Sequence, residues 1–304
     1  MLAGDLFVVA SGDPTFTAED LARICEAVAA TGIRRVGGNL VVDDTRHDRL
    51  RSVPGWAPYY VPDFTGPLSA FAIDRNRPRR DDSFLADPAT ANADQVRLAL
   101  HAAGVMIDGP TRVGPAAAGA GSVVAEHLSN PLADIVRSVL VRSDTFSAEM
   151  LLKELGARDG EGTTAGGLAV LEAVEDAHAV DQAEATAVDG SGLSVGNIDT
   201  PHRHVAWLRA VELTTVGGLF RRSLPVAGET GTLTRRFVGT PAVGRVHAKS
   251  GTRRRNGSLN LAGYATALDG HRLWFSFVLT GARSHADAMT AVDRAVVSLV
   301  VGSA

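Results

Sequence analysis

Lysine is nearly absent from this 304-residue chain. Of its 30 basic residues only Lys153 and Lys249 are lysines, and the rest are arginines. Cysteine is scarcer still. The single Cys25 excludes an internal disulfide and a cysteine-rich zinc site. No uncharged apolar run approaches the roughly 18 residues that a membrane span needs. Positive charge is not in excess either: 34 acidic residues leave a net charge of -4, which argues against a general nucleic-acid binder. The opening residues 1–10 carry Asp5 and no basic stretch, so they are not expected to be a signal peptide. What is present is ordinary globular composition, 45% hydrophobic, at a length that allows one large domain or two ordinary ones.

The first hundred residues read as alternating strands and helices. A strand is expected over 6–10, followed by the turn cluster Ser11-Gly12-Asp13-Pro14. Thr17 stands three residues before Asp20, the spacing of a capping box. Leu21, Ile24, Cys25 and Val28 then repeat at helical spacing, and Gly32 closes the helix. Cys25 falls on that apolar face, as a buried structural thiol. A second strand over 36–42 completes a βαβ-type unit. Residues 44–84 are interrupted by Pro54, Pro58, Pro62 and Pro67, and end in a basic cluster of Arg75, Arg77, Arg79 and Arg80, read as an exposed loop. A helix over 93–103 and a strand over 105–113 lead to the Gly/Ala-rich stretch 114–121. A domain boundary is placed near residue 125, dividing 1–125 from 126–304.

The second half opens with helices expected over 130–140, after Ser143, over 165–177 and over 203–213. Its last sixty residues read as three strands, 246–251, 259–267 and 272–280, joined at Asn256-Gly257 and Asp269-Gly270, which are hairpin signals. A terminal amphipathic helix presents Met289, Val292, Val296 and Leu299. Helical block, antiparallel meander and closing helix together make the fold class α+β.

Several motifs are missing. There is no phosphate-binding Gly-rich loop with Lys-Ser/Thr and no His-Glu-x-x-His. His202 and His204, with Glu212 further on, are poorly spaced for a metal and read as surface histidines in a loop. Gly192-Leu193-Ser194-Val195-Gly196 matches the letters of a nucleophile elbow without the strand before it or the helix after it. Two triplets matter more. Ser143-Asp144-Thr145 lies at a helix junction, and Lys249-Ser250-Gly251 lies at a strand end. Alone, the first is a cap and the second a turn. As a pair in this order they suggest serine acyl-transfer enzymes, which use Ser-x-x-Lys, Ser-x-Asn and Lys-Thr-Gly. The lysine offers charge to a substrate carboxylate, the adjacent hydroxyl a hydrogen bond, and the glycine room for a substrate backbone. A hydroxyl between two lysines can relay a proton to a leaving amine.

Further stretches carry a wider resemblance. They are Gly4-Asp5-Leu6, Ser11-Gly12-Asp13-Pro14-Thr15, Gly38-Asn39-Leu40 through Asp43-Asp44, and Gly66-Pro67-Leu68-Ser69-Ala70. Later come Ser143 through Ala148-Glu149-Met150-Leu151, Asp189-Gly190-Ser191-Gly192-Leu193-Ser194, Ser223 through Gly228, Gly231-Thr232-Leu233 and Lys249-Ser250-Gly251-Thr252. In this order they resemble the D-alanyl-D-alanine carboxypeptidases of the peptidase S13 family, the low-molecular-mass class C penicillin-binding proteins. The resemblance implies that 126–304 form the C-terminal part of a penicillin-binding, β-lactamase-like domain. It implies that 1–125 form the α/β accessory domain that the family inserts. It also implies an extracytoplasmic location, peptidoglycan stem peptides as substrate, β-lactams as ligands of complete homologues, and no metal or organic cofactor.

Carried over by position, Ser143 is the proton relay, and Lys249 and Ser250 bind the terminal carboxylate. Gly251 admits the substrate backbone, and the Thr252 N–H supplies half of the oxyanion hole. Three departures stand out. No Ser-x-x-Lys occurs: Met150 and Val246 stand three residues before the two lysines. The chain is therefore expected to be truncated at its N-terminus and inactive as an acyl-transfer enzyme. Thr145 replaces the family's Asn and leaves a weakened substrate contact. Arg253-Arg254-Arg255 stand where the family is smaller and more apolar. The alternatives are a non-catalytic homologue that binds peptidoglycan peptides and an inactive fragment.

Overall fold

The structure is a computed structural model that describes all residues except 78–86, 118, 120, 254–256 and 303–304. Arg79, Arg80, Arg254, Arg255 and Asn256 thus lie outside the described residues. In chain order the elements are β1 (Leu6–Val9), α1 (Ala18–Ala30), β2 (Arg35–Val36), β3 (Leu40–Asp43), α2 (Pro88–Ala102), β4 (Met106–Ile107) and β5 (Thr111–Val113). Then come α3 (Leu132–Arg142), α4 (Thr145–Asp159), α5 (Thr164–Ala177), α6 (Pro201–Glu212) and α7 (Gly217–Ser223). The chain closes with β6 (Val246–Arg253), β7 (Ser258–Thr266), β8 (Arg272–Leu279) and α8 (His285–Val301). The mixture is α+β, as the sequence predicts.

Two compact units form. The first comprises Met1–Pro131, Thr145–Val170 and Val188–Val195, and the second Leu132–Asp144, Leu171–Ala187 and Gly196–Ala304. A single cut near 125 does not describe this division. Burial decides the matter: Phe146 and Met150 of α4 share a core with Val53, Leu68 and Ala72, so α4 joins the first unit.

In the first unit, β1, β3 and β5 form one parallel sheet and β2 and β4 another. Each strand is short because Gly37-Gly38 and Asp108-Gly109 break the two runs that the sequence suggests as single strands. The Thr17–Asp20 capping box is present, and Gly32 has φ +89° just past α1, where an L-side chain would be strained. Cys25 is buried with Leu21, Val28, Val36, Leu40, Val96 and Leu100, and burial raises its thiol to about 11. α2 begins five residues before the helix expected at 93, because the Asp87 side chain accepts from the Thr90 N–H and Pro88 supplies the first turn. Lys153 is 1% exposed. Its ammonium donates to Asp48 Oδ1 at 2.5 Å and to the Leu50 carbonyl at 3.3 Å, fixing the segment before Val53.

In the second unit, β6, β7 and β8 form an antiparallel meander in sequence order. Val246, Ala248, Leu261 and Phe275 pack with Val292, Val296 and Val300 of α8 on one face. Tyr264 packs with Leu208 and Leu224 on the other, donating to the Leu208 carbonyl at 3.0 Å. His202 and His204 lie on α6, not in a loop. Thr200 caps that helix by accepting from the Arg203 N–H, and Pro201 opens it. His204 meets Ser276 Oγ at 2.8 Å and Asp199 Oδ2 at 3.3 Å.

Candidate active site

β6 fixes the geometry of Lys249-Ser250-Gly251-Thr252. The triplet sits in the middle of this strand, not at its end. Its register pairs Lys249 with Ala262, Gly251 with Asn260 and Thr252 with Leu259. The Ala248 N–H donates to the Pro225 carbonyl and the Val246 carbonyl accepts from Ala227, both on the side away from β7. In an antiparallel ladder this alternation fixes the rest. The amides of Ser250 and Thr252 point to the same outer edge, beyond the reach of the 225–227 segment. Among the described residues the edge of β6 is therefore covered in its first half and paired with no other strand in its second.

The chain places Ser143 against this strand through a strained helix end. The Asp144 N–H returns to the Val139 carbonyl at 3.1 Å, and Ser143 between them has φ +55°. This is a Schellman-type stop, in which glycine is the usual residue at the left-handed position. Holding serine there costs about 1–2 kcal/mol, and strain of this kind collects at functional sites. The gain is a contact between groups 106 residues apart: Lys249 Nζ donates to Ser143 Oγ at 2.7 Å. The same ammonium donates to the Ser250 carbonyl at 2.6 Å. Burial pulls the Lys249 amine down to about 8.

Ser250 Oγ donates to Thr232 Oγ1 at 2.8 Å. Thr232 belongs to a single 3-10 turn, Gly231–Leu233. A Cβ on Gly231 would come within 2.6 Å of the Val141 carbonyl, and its φ is +59°. The glycine is thus required for the turn to lie on the end of α3. Sequence reasoning did not place Thr232 in the site, although it stands inside one of the matching stretches. Gly251 is different. A Cβ there would make only ordinary 3.6 Å contacts with Asn260, so nothing inside the unit demands glycine at that position.

Thr145 belongs to the first unit. Its hydroxyl donates to the Phe64 carbonyl at 3.1 Å, which leaves it able only to accept. Four residues on, Glu149 is fully buried, and its Oε1 accepts from the Gly190 and Ser191 amides at 2.9 Å each. Among the described residues its Oε2 has no hydrogen-bond partner. Burial first, and the nearby Asp189 charge second, raise its carboxyl to about 7. Asp189 in turn accepts from Trp56 Nε1 at 2.9 Å and from the Gly192 amide at 2.8 Å. The 189–194 segment is a loop folded around two carboxyl groups, with no elbow geometry. Among the described residues no group of three or more His, Cys, Asp or Glu side chains is arranged to hold a metal. No helix there is long and apolar enough to cross a membrane.

Comparison with known proteins identifies the family. The D-Ala-D-Ala carboxypeptidase 3 (S13) family matches residues 1–81 and 81–300. A D-alanyl-D-alanine carboxypeptidase of Actinomadura sp. (strain R39) is 31% identical, over 91% of this chain and 66% of its own length. Carboxypeptidase DacB of Mycolicibacterium smegmatis is 30% identical, over 89% of this chain and 60% of its own length. The chain thus spans less than two thirds of these curated relatives. The crystal structure of penicillin binding protein 4 from Haemophilus influenzae superposes with a TM-score of 0.87 at 20% identity, covering 97% of this chain and 82% of that one, and so shares the fold. The chain belongs to the D-Ala-D-Ala carboxypeptidase 3 (S13) family.

Proposed function

We propose that this chain carries the recognition side of a serine-type D-Ala-D-Ala carboxypeptidase site and binds peptidoglycan stem peptides that end in D-Ala-D-Ala, outside the cytoplasmic membrane. The observation that carries this reading is the 2.7 Å contact of Lys249 Nζ with Ser143 Oγ on an edge strand of the sheet. An extended peptide can add to that edge through the outward Ser250 and Thr252 amides. Its terminal carboxylate meets the Lys249 ammonium, a charge-assisted pairing, and the Ser250 hydroxyl once that hydroxyl turns its one hydrogen away from Thr232 Oγ1. The absent side chain of Gly251 leaves room for its backbone. In the reaction typical of the family, Ser143 passes a proton from the Lys249 side to the leaving amine, and the Thr252 N–H faces the developing oxyanion.

The acylation step needs a nucleophile, and these 304 residues contain no Ser-x-x-Lys. The proposed activity of the chain as it stands is binding without acyl transfer. A fluorescent D-Ala-D-Ala peptide should bind saturably and lose that binding in Lys249→Ala. No covalent band should appear after incubation with a fluorescent penicillin. A labelled band refutes the inactive reading, and binding that survives Lys249→Ala refutes the recognition reading.

A further inference from the structure

The second unit holds a separate cleft of about 480 Å³, lined among others by Arg221, Arg222, Arg245, His247, Tyr264 and Arg272. Among the described residues neither Lys249 nor any carboxylate lines it. Its four arginines come from the end of α7, the segment before β6 and the start of β8. The charge balance is lopsided. Arg272 and Arg221 share one carboxylate, Glu212, at 2.6 Å and 3.6 Å. Glu212 also accepts from Trp274 Nε1 at 2.8 Å, so its single charge is fully engaged. Arg222 and Arg245 are exposed and have no ion pair among the described residues. His247 adds a buried ring nitrogen, Nδ1, with no partner. Burial, and then the Arg221 charge, hold that imidazole below its ordinary range, opposed by a hydrogen bond with the Arg221 backbone and by the Glu229 charge.

Like charges gathered around a concave wall repel one another unless an anion joins them, and a walled cleft of one sign concentrates such an anion. The use of arginine in place of lysine carries no weight here, because nearly all basic residues of the chain are arginine. Geometry does carry weight. Four arginines line one cleft, two of them without an ion pair among the described residues, and guanidinium forks suit the tetrahedral, multiply charged oxygens of phosphate. The volume exceeds one phosphate and lies in the range of small-ligand sites. Tyr264 uses its hydroxyl on the Leu208 carbonyl, so it offers this cleft a ring wall.

We propose that this cleft binds a phosphate ester, holding a diphosphate or phosphodiester group between Arg221, Arg222, Arg245 and Arg272. The reading is independent of the Lys249 site. The test is calorimetric titration of the full chain with inorganic pyrophosphate at constant ionic strength. Saturable binding is expected. Arg222→Ala and Arg245→Ala, both exposed positions, should each weaken it about tenfold, the loss of one charge-assisted contact. Arg283→Ala, exposed elsewhere in the same unit, and Lys249→Ala should leave it unchanged. Two further arms separate the sources. Binding of a short glycerol-phosphate oligomer without vesicle binding assigns a soluble or wall-borne phosphate. Binding of phosphatidylglycerol vesicles that needs the same two arginines assigns a lipid headgroup. Equal losses in Arg222→Ala, Arg245→Ala and Arg283→Ala would reveal diffuse charge attraction and overturn the proposal, as would the absence of saturable binding to all three probes.

Discussion

Replacing Glu149 by Gln should remove a pH dependence from the stability of the first unit. The Glu149 carboxyl is fully buried and titrates at about 7, against its ordinary 4.5. A change of that size corresponds to about 3 kcal/mol. Between about pH 4.5 and 7 the folded chain keeps this proton while the unfolded chain has lost it. Stability therefore falls as pH rises through that window, and above about 7 the whole penalty is present. Glutamine keeps an oxygen for the Gly190 and Ser191 amides and is neutral at every pH. Its amide group falls where Oε2 has no partner, and the protonated carboxyl suffers the same defect, so the two chains should be nearly equal at pH 5. At pH 8 the variant should be the more stable by up to about 3 kcal/mol. Urea titrations at a series of pH values, followed by tryptophan fluorescence and circular dichroism, measure the difference. Trp56 reports locally, since its indole donates to Asp189. All other titrating groups are common to both chains. A stability difference that stays constant from pH 5 to 8 refutes the reasoning.

Other outcomes follow from the Lys249 site. Because burial holds Lys249 at about 8, D-Ala-D-Ala peptide affinity should decline as pH rises above 8, while fold stability rises between about 8 and 10.5 as the unfolded chain alone retains the proton; affinity flat to pH 10 contradicts this. Ser143→Gly relieves about 1 kcal/mol of left-handed strain but removes the acceptor of the Lys249 ammonium, worth about 1.5–3 kcal/mol, so it should lower the unfolding midpoint slightly and weaken peptide binding, which calorimetry and a binding titration measure. Gly231→Ala should cost more than about 2 kcal/mol, from its φ and the Val141 carbonyl in its path, read as a lowered unfolding midpoint.

The parts of this fold that were legible in the sequence are those whose signals are local. The three-strand meander is observed within about two residues of its expected bounds, because alternation and turn pairs act over a few residues. The Thr17 capping box and the Cys25 face are equally local. α7 escaped notice because its opening Gly217-Gly218 argues against a helix, while Glu212 packs so close to Gly217 that no Cβ would fit. Partition into units escaped for the same reason: the Gly/Ala stretch marks a change of composition, but the burial of Phe146 and Met150 decides where α4 belongs. In the site, motif spacing pointed to Ser143 and Lys249, while the Ser250–Thr232 hydroxyl pair depends on a turn that only Gly231 allows. The basic residues make the contrast sharpest. Linear reading drew attention to the runs at 75–80 and 253–255. The charge that converges on one cleft is instead assembled from positions 221, 222, 245 and 272, brought together by the meander and α7. A run of like charge spreads into solvent at little cost, whereas the arginines at 221, 222, 245 and 272 line one cleft and only two of them share a carboxylate, Glu212.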